Sequence, residues 1–544
     1  MKKKLSLAIV LSIALLAFTP AADPYFEIAK NLDIFASMFR EVNAFYVDEV
    51  NPETLAISGI DGMLESLDPY TVFIPEEEKE AFTILTTGQY AGIGALISSL
   101  NNRNVVTHPY KDFPAHRAGV KVGDEIISVD GKNVRGKSTR ETSALLKGNP
   151  DSEVTITVDR QGKEFTFRLS REQIKISNVT YWGMLGNGIG YLLMEEFTPG
   201  AGKEVETALL ELKKQGATSL ILDLRGNPGG QLHEAVNTVN LFIPKGKEVV
   251  ATKGKVGEWN KVYATLNAPL DLEIPLIVLV DDGSASASEI VAGALQDYDR
   301  AVLVGQKTYG KGLVQTTRHL SYGAQVKVTT ARYYIPSGRC IQARDYSHRE
   351  QDGSVKRIAD SLKHPFKTGN GRTVYDIGGL DPDVPVKRQP FGPAVIQLAQ
   401  SGLFFEYANK FCFENPEPAS YVNFALTDTQ YKAFEAWLKS RKFVYQTSME
   451  KQVNAMLETA KESRNQNELQ PSLLAMKGKI SENHAGYLTR FRDEIQPLLE
   501  EQIGFHYALH RGQVETSFDH DQTLAEARRI LADPDGYRKL LQPR

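Results

Sequence analysis

Three serines, Ser284, Ser286 and Ser288, alternate with alanines in the stretch DDGSASASEIVAGALQ, directly after the apolar run PLIVLV. The run reads as a buried strand, Gly283 as the residue that permits a tight turn, and the small and apolar residues that follow as a helix. A serine at such a junction sits at a helix N-terminus, where unpaired N–H groups stabilise a developing oxyanion. The same residue types also make ordinary helix caps, so the stretch alone does not choose between nucleophile and scaffold. Glu289, in the first turn after the serines, reads as a carboxylate placed to suit a helix N-terminus rather than as a proton carrier.

A base must come from elsewhere in the chain. Downstream, VLVGQKTYGKGLVQT carries Lys307 and Lys311, the second framed by Gly310 and Gly312. A lysine drawn into an apolar site loses hydration, its pKa falls, and the neutral amine becomes a base; a lone lysine in a turn is otherwise solvated. Upstream, LILDLRGNPGG delivers Asp223 and Arg225 from a buried strand into a glycine turn. The N–H groups near Gly229 and Gly230 suit the second half of an oxyanion hole, while Asp223 and Arg225 also make sense as a structural pair. The loop has the spacing of neither of the common phosphate-cradling motifs. His233 is the histidine best placed for a Ser-His pair, yet no G-x-S-x-G surrounds the serine. HEAVN lacks the second histidine of H-E-x-x-H, so neither a metal nor another cofactor is expected.

A chain of 544 residues needs several modules to hold these pieces. A net charge of -4, from 63 basic and 67 acidic side chains, leaves no electrostatic footprint for nucleic acid. Lys2, Lys3 and Lys4 precede an apolar run from Leu5 to Phe18 and the small residues Ala21 and Ala22, the pattern of a secretory signal peptide over residues 1–22. The run is shorter than the roughly 20 residues a bilayer core requires, and no cysteine follows it to take a lipid. An exported protein of the periplasm or cell envelope is expected. Only Cys340 and Cys412 are present, a pair that either bridges or stays as two buried thiols.

Residues 23–87 carry apolar positions at helical spacing, with a turn at LDPY and no group that looks catalytic; packing or dimerisation is the expected role. Residues 88–174 change to short β-type runs separated by VDGK and RQGK, with one helix near STRETSALLKG capped by Ser138 or Thr139. In YAGIGALI, Gly92 and Gly94 leave N–H groups uncrowded beside Ile93, Ala95 and Leu96, a loop and strand edge able to hold a chain-terminal carboxylate and pair with its backbone. Together with AGVKVGDEIISVDGKNV, this module resembles a PDZ domain. Residues 175–390 alternate apolar strands with helices, an α/β core whose sheet is covered on both faces. Residues 391–544 return to amphipathic helices such as TLAEARRILADPDGYRKLL, expected to cover a surface or to oligomerise.

The whole is a multidomain α+β chain, and from about residue 30 to 390 it resembles the C-terminal processing peptidases, also called tail-specific proteases. The resemblance rests on the PDZ-like module, DLRGNPGG, GSASASEIVAGALQDYDRAVLVGQKTYGKGLVQ and GLDPDVPV. It implies a crotonase-like peptidase core, Ser286 as nucleophile, Lys311 as general base and Gln315 as the residue that orients the lysine. It also implies main-chain donors at Ala287 and in the loop with Gly229 and Gly230, and a groove around Gly92 to Leu96 that selects protein substrates by their C-terminal tails. Recruitment by an adaptor or activator protein and assembly as a homodimer are compatible with it. The short forms of the family lack so long a C-terminal extension. Arg171, after the last PDZ-like strand, is a weak candidate for a bridge between modules. Two other classes compete with a protease: a binding scaffold that uses the PDZ-like module without catalysis, and a small-molecule esterase or amidase.

Overall fold

The computed structural model describes residues 24–543 apart from 351, 389, 442, 444, 446, 463–465 and 485; the leader expected at residues 1–22 lies outside them. The arrangement is the multidomain α+β one expected, with N-terminal helices, a β-rich module, an α/β core and C-terminal helices. Contacts divide the chain into a small unit, residues 1–73 with 326–328, and a large one holding the rest. The small unit contains α1 (Pro24–Phe45) and α2 (Pro52–Glu65). Asn51 opens α2 by accepting from the N–H groups of Glu53 and Thr54, with Pro52 at the position where a missing N–H costs nothing. LDPY is a turn held by Asp68, whose carboxylate accepts from the N–H of Tyr70 and of Thr71, each at 2.8 Å.

In the large unit the β-rich module is built from β1 (Gln89–Gly92), β2 (Ala95–Leu100), β3 (Arg103–Pro109), β4 (Glu125–Val129), β5 (Glu153–Arg160), β6 (Lys163–Ser170) and β7 (Glu172–Lys175). The sheet runs β2, β3, β4, β5, β6, which leaves β2 as an edge strand, while β1 pairs antiparallel with β7. Helix α3 (Thr139–Leu146) packs by β2 and starts with a full capping box, Ser138 against Glu141. Arg171 is buried and spends its guanidinium inside this module, on the carbonyls of Leu145, Leu146 and Glu153 and on Ser152 Oγ. It therefore caps the C-terminal end of α3 and does not bridge to the core.

The α/β core is a six-stranded sheet in the order β8 (Val179–Met184), β9 (Ile189–Met194), β10 (Ser219–Asp223), β11 (Leu276–Val280), β12 (Val302–Gly305) and Val384–Pro385. The first pair is antiparallel and the rest are parallel. Every residue of β10, β11 and β12 is buried, which is why these strands read as apolar runs without alternation. One face packs on α4 (Ala201–Lys214), α5 (Leu232–Asn240) and α6 (Ala287–Asp297). The other is covered from the far end of the chain: Ile221, Ile277, Leu279, Val302 and Val304 share a core with Val514, Phe518, Leu524, Ala527, Ile530 and Tyr537.

The C-terminal region thus plays two parts. Helices Pro393–Gln400, Leu403–Glu414 and Asp428–Ser440 close their own core around Phe404, Phe434, Ile495 and Ile503. The long helix α7 (Arg492–Ser517) then breaks at Ala508 and Leu509, where φ is -136° and 54°. Beyond the break, α8 (Gln522–Leu531) and α9 (Pro534–Leu540) cover the second face of the six-stranded sheet. Gly512 is pressed against the main chain of Gly504, so that a Cβ there would lie 1.9 Å from the Gly504 carbonyl oxygen. No side chain fits at this crossing. Cys340 and Cys412 do not pair; both are free thiols whose pKa burial pushes up, that of Cys412 to about 12.

Candidate active site

The turn after β11 is organised by Asp281, whose Oδ1 accepts from the N–H of Gly283 at 3.0 Å and of Gly226 at 2.8 Å. That one carboxylate fastens the serine turn to the glycine loop after β10. The outer serines fasten it further: Ser284 Oγ donates to the Leu224 carbonyl at 2.8 Å, and Ser288 Oγ to the Asn227 carbonyl at 2.9 Å. Both are fully buried. Ser286 alone of the three reaches the surface, and it opens α6 with φ 55° and ψ -112°. A residue with a side chain adopts that conformation at a cost of about 1–3 kcal/mol, which the locked surroundings must supply. The alternation of serines is thereby explained: two are scaffold and the middle one is presented.

Gly229 is packed directly on the presented serine. A Cβ there would lie 2.6 Å from the Ala285 oxygen and 2.8 Å from both Ala287 N and Ser286 Cβ. The Gly229 N–H is used within its own loop, donating to Asn227 Oδ1 at 2.9 Å, while Asn227 Nδ2 holds the Met194 carbonyl at 2.8 Å. Among the described residues no hydrogen bond engages the N–H of Ala287 or of Gly230. The loop's Asp223 and Arg225 are a structural pair: Asp223 is buried and accepts from Arg225 Nε at 2.9 Å and from the Tyr191 hydroxyl at 2.7 Å.

Glu289 joins the serine and lysine motifs. Fully buried, it accepts from the N–H of Ser286 at 2.9 Å, the Thr308 hydroxyl at 2.5 Å, the Gly310 N–H at 2.8 Å and the Lys311 N–H at 2.9 Å. Burial pushes its carboxyl up to about 7, against the pull of those four donors. A second tie runs through Tyr333 on β14 (Gln325–Tyr334), which follows β13 (Leu313–His319): its N–H donates to the Gly312 carbonyl at 3.0 Å and its hydroxyl to the Ser286 carbonyl at 3.2 Å. Lys311 is half-buried between two closely packed glycines: a Cβ on Gly310, at φ 86°, would strike Ala343 Cβ at 2.4 Å, and one on Gly312 would press on Gln342 N at 3.0 Å.

The Gln315 side-chain amide, on β13, donates to Thr329 Oγ1 at 3.1 Å. Lys307 lies 3.5 Å from Asp381 in an ion pair. His233 is exposed on α5, edge-on to the Tyr263 ring at 5.5 Å. In the β-rich module Gly92, Ile93 and Gly94 form a buried turn and Ala95 and Leu96 start the edge strand, Leu96 half exposed. Gly94 has φ 72° and a Cβ there would strike Phe113 at 2.4 Å, so the turn has no place for a side chain.

Each carboxylate oxygen of Glu289 accepts from two of the four donors, so Gln turns an amide N–H₂ toward two of them, and Glu289→Gln is expected to lower kcat by about 100-fold with the fold retained. The same variant changes a pH profile. Because the folded carboxyl titrates near 7 rather than 4.5, its contribution to stability is full below pH 4.5 and is lost as pH rises to about 7. Between pH 5 and pH 7.5 the parent should lose about 2 kcal/mol more stability in urea unfolding than Glu289→Gln does.

Comparison with known proteins gives three domain matches. Residues 105–160 match a PDZ domain model, residues 188–347 the model of peptidase family S41, and residues 394–531 that of a probable PDZ-protease C-terminal helical domain. The chain therefore contains all three of these domains, the second enclosing Ser286 and Lys311. Among similar proteins, a probable CtpA-like serine protease of Staphylococcus aureus (strain MRSA252) is 37% identical over 317 residues, 58% of this chain and 63% of that one. One of Staphylococcus epidermidis (strain ATCC 12228 / FDA PCI 1200), carrying the same description, is 37% identical over 321 residues, 58% of this chain and 65% of that one. The match spans less than two thirds of the length of these relatives. A solved photosystem II D1 C-terminal processing protease is 29% identical, over 65% of this chain and 92% of that one, with a TM-score of 0.34.

Proposed function

We propose that this protein is an exported serine endopeptidase that captures protein C-terminal tails in its PDZ domain and cleaves peptide bonds with Ser286 and Lys311. The observation that carries the reading is that one carboxylate, Glu289, holds the backbones of both residues, while the two neighbouring serines are consumed as scaffold. Neutral Lys311 takes the proton of Ser286 Oγ, and the alkoxide attacks the scissile carbonyl. Lys311 then protonates the leaving amine, and a water repeats the cycle on the acyl-enzyme. Gln315 fixes the lysine from β13. The oxyanion is received by the N–H groups of Ala287 and Gly230, with Gly229 contributing by the side chain it lacks. Substrate tails add to the edge of β2 with the terminal carboxylate in the turn of Gly92 to Gly94.

The test is cleavage of an unfolded protein by the mature enzyme with the substrate's C-terminal carboxylate free or amidated. Holding a tail raises the local concentration of the adjoining chain, so amidation is expected to lower kcat/KM by about tenfold or more. A serine-directed acylating probe should label Ser286, and the exported chain should begin near Ala22 by mass spectrometry. Equal cleavage of both substrates would overturn tail selection; hydrolysis of a small ester without preference for C-terminal residues, and no cleavage of the protein, would favour an esterase or amidase; a parent that never cleaves or labels would leave the PDZ scaffold reading.

A further inference from the structure

We propose that Asp521, in the C-terminal helical domain, is a positioning residue for the oxyanion loop and acts through Arg225; the proposal rests on the serine peptidase reading above. Arg225 stands between the end of β10 and the glycines that pack on Ser286. Its Nε contacts both carboxylate oxygens of Asp223, at 2.9 and 3.0 Å, and its Nη2 donates to Asp223 Oδ2 at 2.5 Å and to Asp521 Oδ2 at 2.6 Å. The guanidinium is thus clamped between a strand of the peptidase core and a residue far along the chain. Bidentate and charge-assisted bonds of this kind fix orientation as well as position.

The loop from Leu224 to Gly230 is held from three sides. The serine turn holds it through Asp281 to Gly226, through Ser284 to the Leu224 carbonyl and through Ser288 and Ala285 to the Asn227 carbonyl. The end of β9 and the chain after it hold it through Asn227 Nδ2 on the Met194 carbonyl at 2.8 Å and the Phe197 N–H on the Gly229 carbonyl at 3.2 Å. The Arg225–Asp521 bond adds a tie to α8, on the opposite face of the sheet. Asp521 is itself held: its Oδ1 accepts from the Leu524 N–H at 2.9 Å as the N-cap of α8, whose apolar side is buried with Ile221 and Val304. The two oxygens have separate duties, one to the helix and one to the loop, and this separation makes the proposal testable.

Asn at position 521 keeps an acceptor for the Leu524 N–H, since Asn caps helices as well as Asp does, but it removes the charge that faces Arg225. Asp521→Asn is therefore expected to lower kcat about tenfold at unchanged KM, with little change in Tm and with unchanged affinity for a tail peptide. Amide hydrogen exchange at Gly226 to Gln231 should become faster. In an Arg225→Lys background the same substitution should cost nothing more, because the residue it acts through is already altered. An Asp521→Asn enzyme with the parent's kcat and the parent's loop exchange would overturn the proposal. If the parent itself has no peptidase activity, the reading above has failed; loop exchange in Asp521→Asn then decides whether the clamp positions the loop.

Discussion

Ser286→Ala and Lys311→Ala are each expected to lower kcat on an unfolded protein substrate by a factor on the order of 10⁴ or more, with the double variant no slower than the slower single one, if the proposed dyad operates. The non-additivity follows from the mechanism: a nucleophile without its base, or a base without its nucleophile, leaves the same residual catalysis from oxyanion donors and substrate binding. Both variants should fold like the parent. Ser286 Oγ takes part only in the capping box at the start of α6, a tie worth about 1 kcal/mol, and Lys311 is tied to Glu289 through its main chain, which alanine keeps. Ser284→Ala and Ser288→Ala should behave oppositely, losing stability with the buried side-chain bonds to the Leu224 and Asn227 carbonyls, each of which keeps one main-chain donor. Measured side by side, the three serines separate chemistry from architecture. Retention of parental kcat by Lys311→Ala would move the base elsewhere, and the exposed His233 would be the next residue to substitute.

The strand, turn and helix around Ser286 are legible in the chain because apolar residues run unbroken to Val280 and small residues follow Gly283. The same holds for the capped helix α3, where Ser138 and Glu141 are neighbours on one turn. Glu289 is harder. Its spacing from Ser286 shows the first of its four hydrogen bonds, but the other three come from Thr308, Gly310 and Lys311, which only the parallel pairing of β11 with β12 brings within reach. The Gly229 N–H, placed by sequence reasoning among the oxyanion donors, points instead to Asn227, and GNPGG contains the hint, since Asn commonly bonds the N–H two residues on. Asp521 offers no such hint. Nothing in the local pattern of TLAEARRILADPDGYRKLL says which surface its apolar side covers, and the answer depends on a helix break at Ala508 and Leu509 without a proline.

That apolar side carries the second large expectation. A chain ending at residue 509 should fail to fold its peptidase core, although it retains Ser286, Lys311 and every residue of the S41 match. Val514, Phe518, Leu524, Ile530 and Tyr537 are buried against the sheet, and each contributes about 1.5–3 kcal/mol by removing apolar surface from water. Their sum is roughly 10 kcal/mol, an upper bound because the unfolded chain already hides some of that surface. It equals the whole stability of an ordinary domain, about 5–15 kcal/mol, before the newly bared Ile221, Ile277, Leu279, Val302 and Val304 are considered. A graded version keeps the chain intact: Leu524→Ala and Ile530→Ala should each cost about 2–5 kcal/mol in urea unfolding. Their effect on turnover per folded molecule should stay small, since neither touches Arg225 or its carboxylates. A soluble, cleaving 24–509 fragment would show that the sheet tolerates a bare face; aggregation of that fragment, with graded losses in the alanine variants, would make the last helices an integral layer of the α/β core.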